Sequence, residues 1–246
     1  MDDLAKREEL SRMIRESDNI VFFGGAGVST ESGIPDFRSQ DGLYNQKYKY
    51  PPETIISHSF YVRYPEEFFR FYRDRMLYPD AQPNAAHLAL AELERQGKLK
   101  AVVTQNIDGL HQKAGSKNVF ELHGSVLRNY CERCHKFYSL EDIAGMDLVP
   151  RCTACGGRIK PDVVLYEESL NQDVIEGAVR AISRADMLII GGTSLVVYPA
   201  AGFIDYYRGH KLVLINKDAT GRDGIADLVI HDKIGEVLSA VVKKES

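Results

Sequence analysis

Nothing in this chain is long and apolar enough to cross a bilayer. The longest apolar runs, near Ile20–Phe23 and Met187–Ile190, hold only a few residues, where a spanning helix needs about 20. The opening stretch, MDDLAKREELSRMIRE, is charged throughout and has no apolar signal region. A soluble, cytoplasmic protein without a membrane partner is therefore expected. Neither sign of charge is in excess: 31 Lys and Arg against 35 Asp and Glu leave a net −4. No global field is available to hold a polyanion, so direct nucleic-acid binding is not expected. Internal repeats, low-complexity tracts and long linkers are also missing, which excludes solenoids and strings of independent domains. A single domain, and a monomer, is the expectation. Cysteine is scarce, with four residues in 246, and where those four fall carries information.

What is present is ordinary globular composition, 44% hydrophobic and 27% charged, enough for a sizeable core and a small second lobe. Residues 3–17 carry apolar positions at Leu4, Leu10, Met13 and Ile14 and read as an amphipathic helix. Short buried strands are predicted at Asn19–Phe23, Ala101–Thr104, Asp186–Ile190 and Lys211–Ile215, with a weaker one at Leu228–Ile230. Helical patterns lie between them at Asn84–Gln96, Val174–Ser183 and Gly235–Lys244. Apolar strands alternating with helices predict an α/β fold: a Rossmann-like, mostly parallel sheet with helices on both faces. Two stretches break the rhythm. Ser39 to about Met76 is rich in Tyr, Pro and charge, with a helical piece at Glu66–Arg75, and Leu127–Lys160 holds the cysteines. Together they would form a smaller lobe, the large lobe being residues 1–38, 77–126 and 161–246 and the small lobe 39–76 (helical insertion) and 127–160.

Cys131-Glu-Arg-Cys134, then seventeen residues, then Cys152-Thr-Ala-Cys155 fits a four-thiolate zinc ribbon, with Zn–S bonds of about 2.3 Å. Gly156-Gly157 after the second pair permit a tight turn. The alternative is four unpaired or redox cysteines. With four protein ligands no position remains for water or substrate, so the metal would be structural. His135, beside Cys134, is then a surface residue.

A strand ending in Gly24-Gly25-Ala26-Gly27-Val28-Ser29 suits a phosphate cradle, with backbone amides and a following helix N-terminus facing the charge. A plain tight connection is the competing reading. The expected helix is cut short by Gly33-Ile34-Pro35 and followed by Asp36-Phe37-Arg38 and a long polar loop. A dehydrogenase fingerprint instead runs through a helix to a second strand with an acidic ribose ligand about 20 residues on. A covering loop with an aromatic and an arginine suits cleavage of the cofactor's glycosidic bond, where a cationic ribosyl centre must be shielded from water. Three further strand ends are polar: Gln105-Asn106-Ile107-Asp108, Gly191-Gly192-Thr193-Ser194 and Asn216-Lys217. They read as a site for a ribose- and amide-rich ligand, or as helix N-caps. His123 stands just before the cysteine region, between the two expected lobes. His58, His87, His111, His210 and His231 have equal claims on composition.

Taken in order, Gly25-Ala-Gly-Val-Ser-Thr30, Gly33-Ile-Pro-Asp-Phe-Arg38, Thr104-Gln-Asn-Ile-Asp108, Leu122-His-Gly124, the paired C-x-x-C and Gly192-Thr-Ser194 resemble the sirtuin family of NAD-dependent protein lysine deacylases. The resemblance covers about Asn19 to Ile234. It implies that Ala26, Thr30, Phe37, Arg38, Gln105, Thr193, Ser194, Asn216 and Lys217 line an NAD site. It further implies that Ile107 and Asp108 hold the nicotinamide carboxamide, and that Asn106 organises water and the ribose. His123 would be the general base, touching the cofactor ribose, and Phe37 would shield the reacting centre. NAD would be a co-substrate, zinc structural, and acyl-lysine proteins or peptides the partners. The peptide would add as a strand between residues 160–168, with Val164 and Tyr166 in contact, and residues 195–199. One departure stands out: many members carry Gly where this chain has Glu167. Tyr72 and Arg75 lie where some sirtuins bind succinyl or malonyl carboxylates; a solvated basic helix is the competing reading, and acetyl is expected ahead of succinyl or malonyl. A mono-ADP-ribosyltransferase and a non-enzymatic zinc-ribbon interaction module are the competing functions.

Overall fold

The computed structural model describes residues 2–37 and 49–242. Arg38 and residues 39–48 of the expected insertion lie outside the described residues. In chain order the elements are α1 (Asp3–Arg15), β1 (Ile20–Gly24), α2 (Pro52–Ile55), α3 (His58–Arg63), α4 (Pro65–Arg75), α5 (Ala85–Arg95), β2 (Leu99–Thr104), α6 (Leu110–Ala114) and β3 (Val119–Glu121). They continue with β4 (Gly124–Cys131), β5 (Phe137–Ser139), α7 (Leu140–Ala144), β6 (Ile159–Val163), α8 (Gln172–Arg184), β7 (Met187–Gly191), β8 (Leu212–Ile215), β9 (Leu228–Ile230) and α9 (Ile234–Val241).

Strands β1 and β7 are buried at every position, which is why they read as unbroken apolar runs rather than as alternation. They occupy the middle of a six-stranded parallel sheet in the order β3-β2-β1-β7-β8-β9. One face packs on α1, α5 and α9 through Leu10, Leu90, Leu93 and Leu238. The other packs on α8 and a 3₁₀ segment, Ala200–Tyr206, through Ala178, Ile182, Phe203 and Ile204. Local signals set the helix starts: Asp2, Asn84 and Asn171 each accept a backbone N–H of the first turn of α1, α5 and α8. The register aligns the strand ends, with Gly24 opposite both Thr104 and Gly191, Gly191 opposite Ile215, and Thr104 opposite Glu121. Residues following these positions therefore converge on one edge of the sheet.

The second sheet is antiparallel, in the order β5-β4-β6. Helices α2–α4 close over it through Phe60, Tyr61, Phe68, Phe69 and Tyr72, packed with Val126, Val163 and Leu165. Its strands run from Gly124 to Val163, so three of their residues precede the break expected at 126/127 and three follow the break expected at 160/161. Arg128 ties the junction, pairing with Glu121 of β3 at 2.6 Å and Asp162 of β6 at 2.8 Å. Strand β3 is absent from the sequence expectation. Its three residues, Val-Phe-Glu at a sheet edge, are each only half-buried, so they make no apolar run to be read.

Candidate active site

The carboxyl end of β1 runs into the glycine turn, and no α-helix follows it. Two single 3₁₀ turns, Ala26–Val28 and Thr30–Ser32, take its place. This corrects the expected helix N-terminus behind the cradle. Gly33 at φ 81 ends the second turn in the left-handed region, and Pro35 has no N–H to continue a helix. The charge-binding potential of the turn lies in its backbone amides alone. The turn is seated against the β7 loop, where the Gly27 N–H donates to the Gly192 carbonyl at 2.8 Å. A Cβ on Gly27 would come within 2.8 Å of the Gly192 backbone, and one on Gly192 within 2.3 Å of the Val28 nitrogen. The close approach of the two loops requires glycine on both sides.

The polar strand ends interlock around this turn. Ser29, fully buried, donates to Asp108 at 2.6 Å and accepts from the Asn106 amide at 3.0 Å. Asp108 also takes the Leu110 N–H at 2.9 Å. Across the crevice, the Gln105 side chain donates to the Thr193 hydroxyl at 3.1 Å. Asn216 and Thr193 exchange two bonds: the Thr193 N–H reaches the Asn216 side-chain oxygen at 3.0 Å, and the Asn216 amide reaches the Thr193 carbonyl at 2.7 Å. The capping interpretation fails: the cap position of α6 is Gly109, with no side-chain cap bond, while Gln105 and Asn216 bond to Thr193 and Asn106 bonds to Ser29. Ser29 is the site residue that the sequence reading did not single out. A serine after a glycine turn carries no signal of its own until its partners arrive from residues 106 and 108.

His123 lies between the end of β3 and the start of β4, so it belongs to neither sheet. Its Nδ1 is 3.0 Å from the Gln105 carbonyl oxygen. A carbonyl only accepts, so Nδ1 carries the proton and Nε2 keeps its lone pair. Burial lowers the imidazole's pKa below its ordinary 6.5, an effect partly offset by the Gln105 carbonyl. The other histidines occupy different environments. His87 and His111 are buried face to edge, with centroids 4.8 Å apart, and burial holds them at about 4 and about 3. His58 pairs with Glu168 and His231 with Asp223.

A cavity of about 1540 Å³ joins these pieces. Its wall includes Ala26, Thr30, Phe37, Gln105, Asn106, Ile107, Asp108, His123, Thr193, Ser194, Asn216 and Lys217. Val164, Tyr166 and Val196–Pro199 line it too. Arg75 lines it as well. Tyr72 is not among the lining residues. It is 1% exposed, with its ring stacked on Phe68 at 5.8 Å and its hydroxyl buried without a hydrogen-bond partner. The expected Tyr72–Arg75 pairing on one substrate is therefore corrected. The helical spacing is right, but the tyrosine is drawn into the aromatic core of α3 and α4.

At the end of β4 and the turn that follows it, and in the loop that precedes β6, the Sγ atoms of Cys131, Cys134, Cys152 and Cys155 lie within 4.8 Å of one another. Two of the separations are 3.4 and 3.6 Å. A tetrahedron of ~2.3 Å Zn–S bonds has edges of about 3.8 Å, so the four thiols fit a zinc ion. The Arg133 and Ala154 amides donate to Cys131 and Cys152, each at 3.4 Å, and the Tyr138 hydroxyl donates to Cys152 at 3.2 Å. Such donors favour the thiolate form that a metal needs. Both knuckles close alike: the N–H of His135 returns to the Cys131 carbonyl and that of Gly156 to the Cys152 carbonyl, each at 2.9 Å. Both residues are left-handed, at φ 58 and φ 72. His135 thus acts through its backbone. A His135→Gly variant is expected to keep its zinc and to unfold within about 1 kcal/mol of wild type. A melting point many degrees lower would show that the imidazole itself holds the lobe together.

The crevice lies where the strand order reverses, between β1 and β7. That is the dinucleotide position in doubly wound α/β proteins, and this chain is of that class. Within the class it belongs to the Sir2 family, whose model matches residues 25–199. An NAD-dependent protein deacetylase of Clostridium perfringens is 66% identical over 245 residues, covering 98% of this chain and all of that protein. One of Staphylococcus aureus is 46% identical over 237 residues, 96% of this chain and 97% of its own length. Among solved structures, a Sir2 complex with a p53 peptide and NAD+ is similar at a TM-score of 0.84 and 43% identity, covering 95% of this chain and 96% of its own. A Sir2 complex with a deacetylated p53 peptide and 3'-O-acetyl ADP-ribose is similar at 0.86 and 42%, with the same coverage.

Proposed function

We propose that this chain is an NAD-dependent protein lysine deacylase in which His123 is the general base. The observation that carries the reading is the tautomer of His123: the Gln105 carbonyl takes the Nδ1 proton and leaves Nε2 basic, on a residue lining the same cavity as the strand-end amides. NAD, as co-substrate, would lie across the glycine turn with Thr193, Ser194, Asn216 and Lys217 around its adenosine half. The Asn106–Ser29–Asp108 bonds would hold the nicotinamide end. The acyl-lysine amide oxygen attacks the anomeric carbon as nicotinamide leaves. His123 then takes a proton from a ribose hydroxyl, whose oxygen attacks the former acyl carbon. With one water consumed, the products are free lysine, nicotinamide and O-acyl-ADP-ribose. The peptide would lie between Val164–Tyr166 and Val196–Pro199, reaching Nε2 past Val163 and Leu165. The residue roles and the division into two lobes at this crevice are part of the proposal.

Acetyl-lysine is the preferred substrate on this reading, because the Tyr72 hydroxyl faces the aromatic core and Arg75 stands on the cavity wall without it. Acetyl- and succinyl-lysine peptides offered with NAD should show faster release of nicotinamide from the acetyl peptide. Arg75→Met should leave acetyl turnover within about twofold of wild type and lower succinyl turnover about tenfold or more, as loss of a charge-assisted contact would. Equal succinyl turnover in the two proteins would remove Arg75 from acyl recognition. No nicotinamide release with any acyl-lysine peptide would overturn the function itself.

A further inference from the structure

Residues 164–168 form part of the cavity wall, and their backbone is fastened at two places: the Val164 N–H donates to the His123 carbonyl at 3.0 Å, and Tyr166 is bonded to the segment that leads into α3. The Tyr166 N–H donates to the Ile56 carbonyl, and the His58 N–H donates to the Tyr166 carbonyl, both at 3.0 Å. That makes an isolated parallel bridge between Ser57 and Tyr166. The next residue, Glu167, sits at φ 76. A side chain there crowds its own backbone, and glycine is the residue that adopts this conformation without cost. Nothing about a surface loop requires a glutamate in that place.

The Glu167 carboxylate accounts for it. One oxygen accepts the Ser59 N–H at 2.9 Å and the other accepts the Ser59 hydroxyl at 2.9 Å. The Ser59 amide is one of the first-turn donors of α3 that has no partner within the helix. Glu168 braces the same segment from the other side, taking His58 Nδ1 at 2.8 Å, Lys160 Nζ at 3.1 Å and the Leu165 N–H at 2.9 Å. We propose that Glu167 is a positioning residue: its two bonds to Ser59 clasp the peptide-binding segment to α3 and hold a left-handed turn that the glutamate backbone would otherwise leave. The turn fixes where Val164 and Tyr166 meet the substrate. Glu167 lines the cavity within the 163–168 wall with both carboxylate oxygens engaged by Ser59, so its influence is expected to fall on peptide binding. This rests on the deacylase reading given above.

Three variants separate the clasp from general damage. Glu167→Ala keeps the left-handed demand and loses both bonds, and is expected to raise the KM for an acetyl-lysine peptide about tenfold, with kcat and the KM for NAD within about twofold of wild type. Glu167→Gln keeps an acceptor for Ser59, and Glu167→Gly removes the backbone demand that the bonds oppose. Each should return the peptide KM to within about threefold of wild type. Hydrogen exchange supplies a readout independent of turnover, since the Ser59 amide should exchange faster in the Ala variant and at the wild-type rate in the Gln variant. An unchanged peptide KM in the Ala variant overturns the proposal. So does a Gly variant as impaired as Ala, or a loss shared equally by the NAD KM and kcat. If wild type itself turns over no acyl peptide, the deacylase reading fails, and the Ser59 amide still decides whether the clasp exists.

Discussion

Replacing His123 with alanine is expected to lower acyl-lysine turnover about 10²- to 10⁴-fold, the usual contribution of a positioned general base, and to leave folding nearly unchanged. The imidazole makes one hydrogen bond, to the Gln105 carbonyl, and lies at the seam between the two sheets rather than inside either core. Its removal opens no large cavity and breaks no ladder. Peptide and NAD should still bind, so the loss should appear in kcat and be visible in a single turnover. The pH profile adds a second check. Burial depresses the folded-state pKa of His123 below 6.5, so the basic, neutral form persists as pH falls through 6.5. The acid limb of kcat/KM, which reports the groups of the free protein, should therefore begin below 6.5, and the residual activity of the alanine variant should lack it. A limb centred above 6.5 would mean that another group is the base, or that His123 is stabilised as a cation.

Removal of zinc should have the second large effect. The cluster around the four thiols is small: Tyr138, Leu140, Ile143 and Ile159 are its other buried members. So few apolar side chains cannot offset the entropy of ordering residues 131–159. Structural zinc in small lobes contributes folding free energy outright, on the order of 10 kcal/mol in isolated zinc-finger peptides. A strong chelator, or Cys152→Ser, is expected to release about one zinc per chain and to lower the melting point by more than about 10 °C. Activity should fall with it, since β4 and β6 supply Val126, Leu127 and Val163 to the cavity wall. The parallel sheet has its own two cores and should keep most of its helical circular dichroism. A metal-free protein that melts where the loaded one does would refute the structural role.

The parts of this fold that were legible in sequence are those whose information is local. Fully buried strands such as Ile20–Gly24 appear as apolar runs, and two C-x-x-C pairs carry their own geometry. The strand-end amides could be read because three clusters occupied the same place after three strands. Less was legible where meaning depends on a partner far along the chain. Ser29 gains its role from Asn106 and Asp108, seventy-odd residues away. Tyr72 sits at the helical spacing that a carboxylate site would use, yet the spacing says nothing of whether Phe68 or the cavity lies on that face. The glycine turn has the composition of a helix start, while the backbone at Gly33 and Pro35 decides for 3₁₀ turns. The Glu167 substitution was visible, but its left-handed backbone and its bond to Ser59 were not, because both come from how α3 meets the segment after β6.

The most direct test of the central claim is the product balance of a single reaction. Wild-type protein with NAD and an acetyl-lysine peptide should give nicotinamide, free-lysine peptide and O-acetyl-ADP-ribose in equal amounts by mass spectrometry. The His123→Ala protein should give little of the last two. Nicotinamide released in step with ADP-ribose attached to protein, and without O-acetyl-ADP-ribose, would contradict the deacylase assignment and make the chain an ADP-ribosyltransferase.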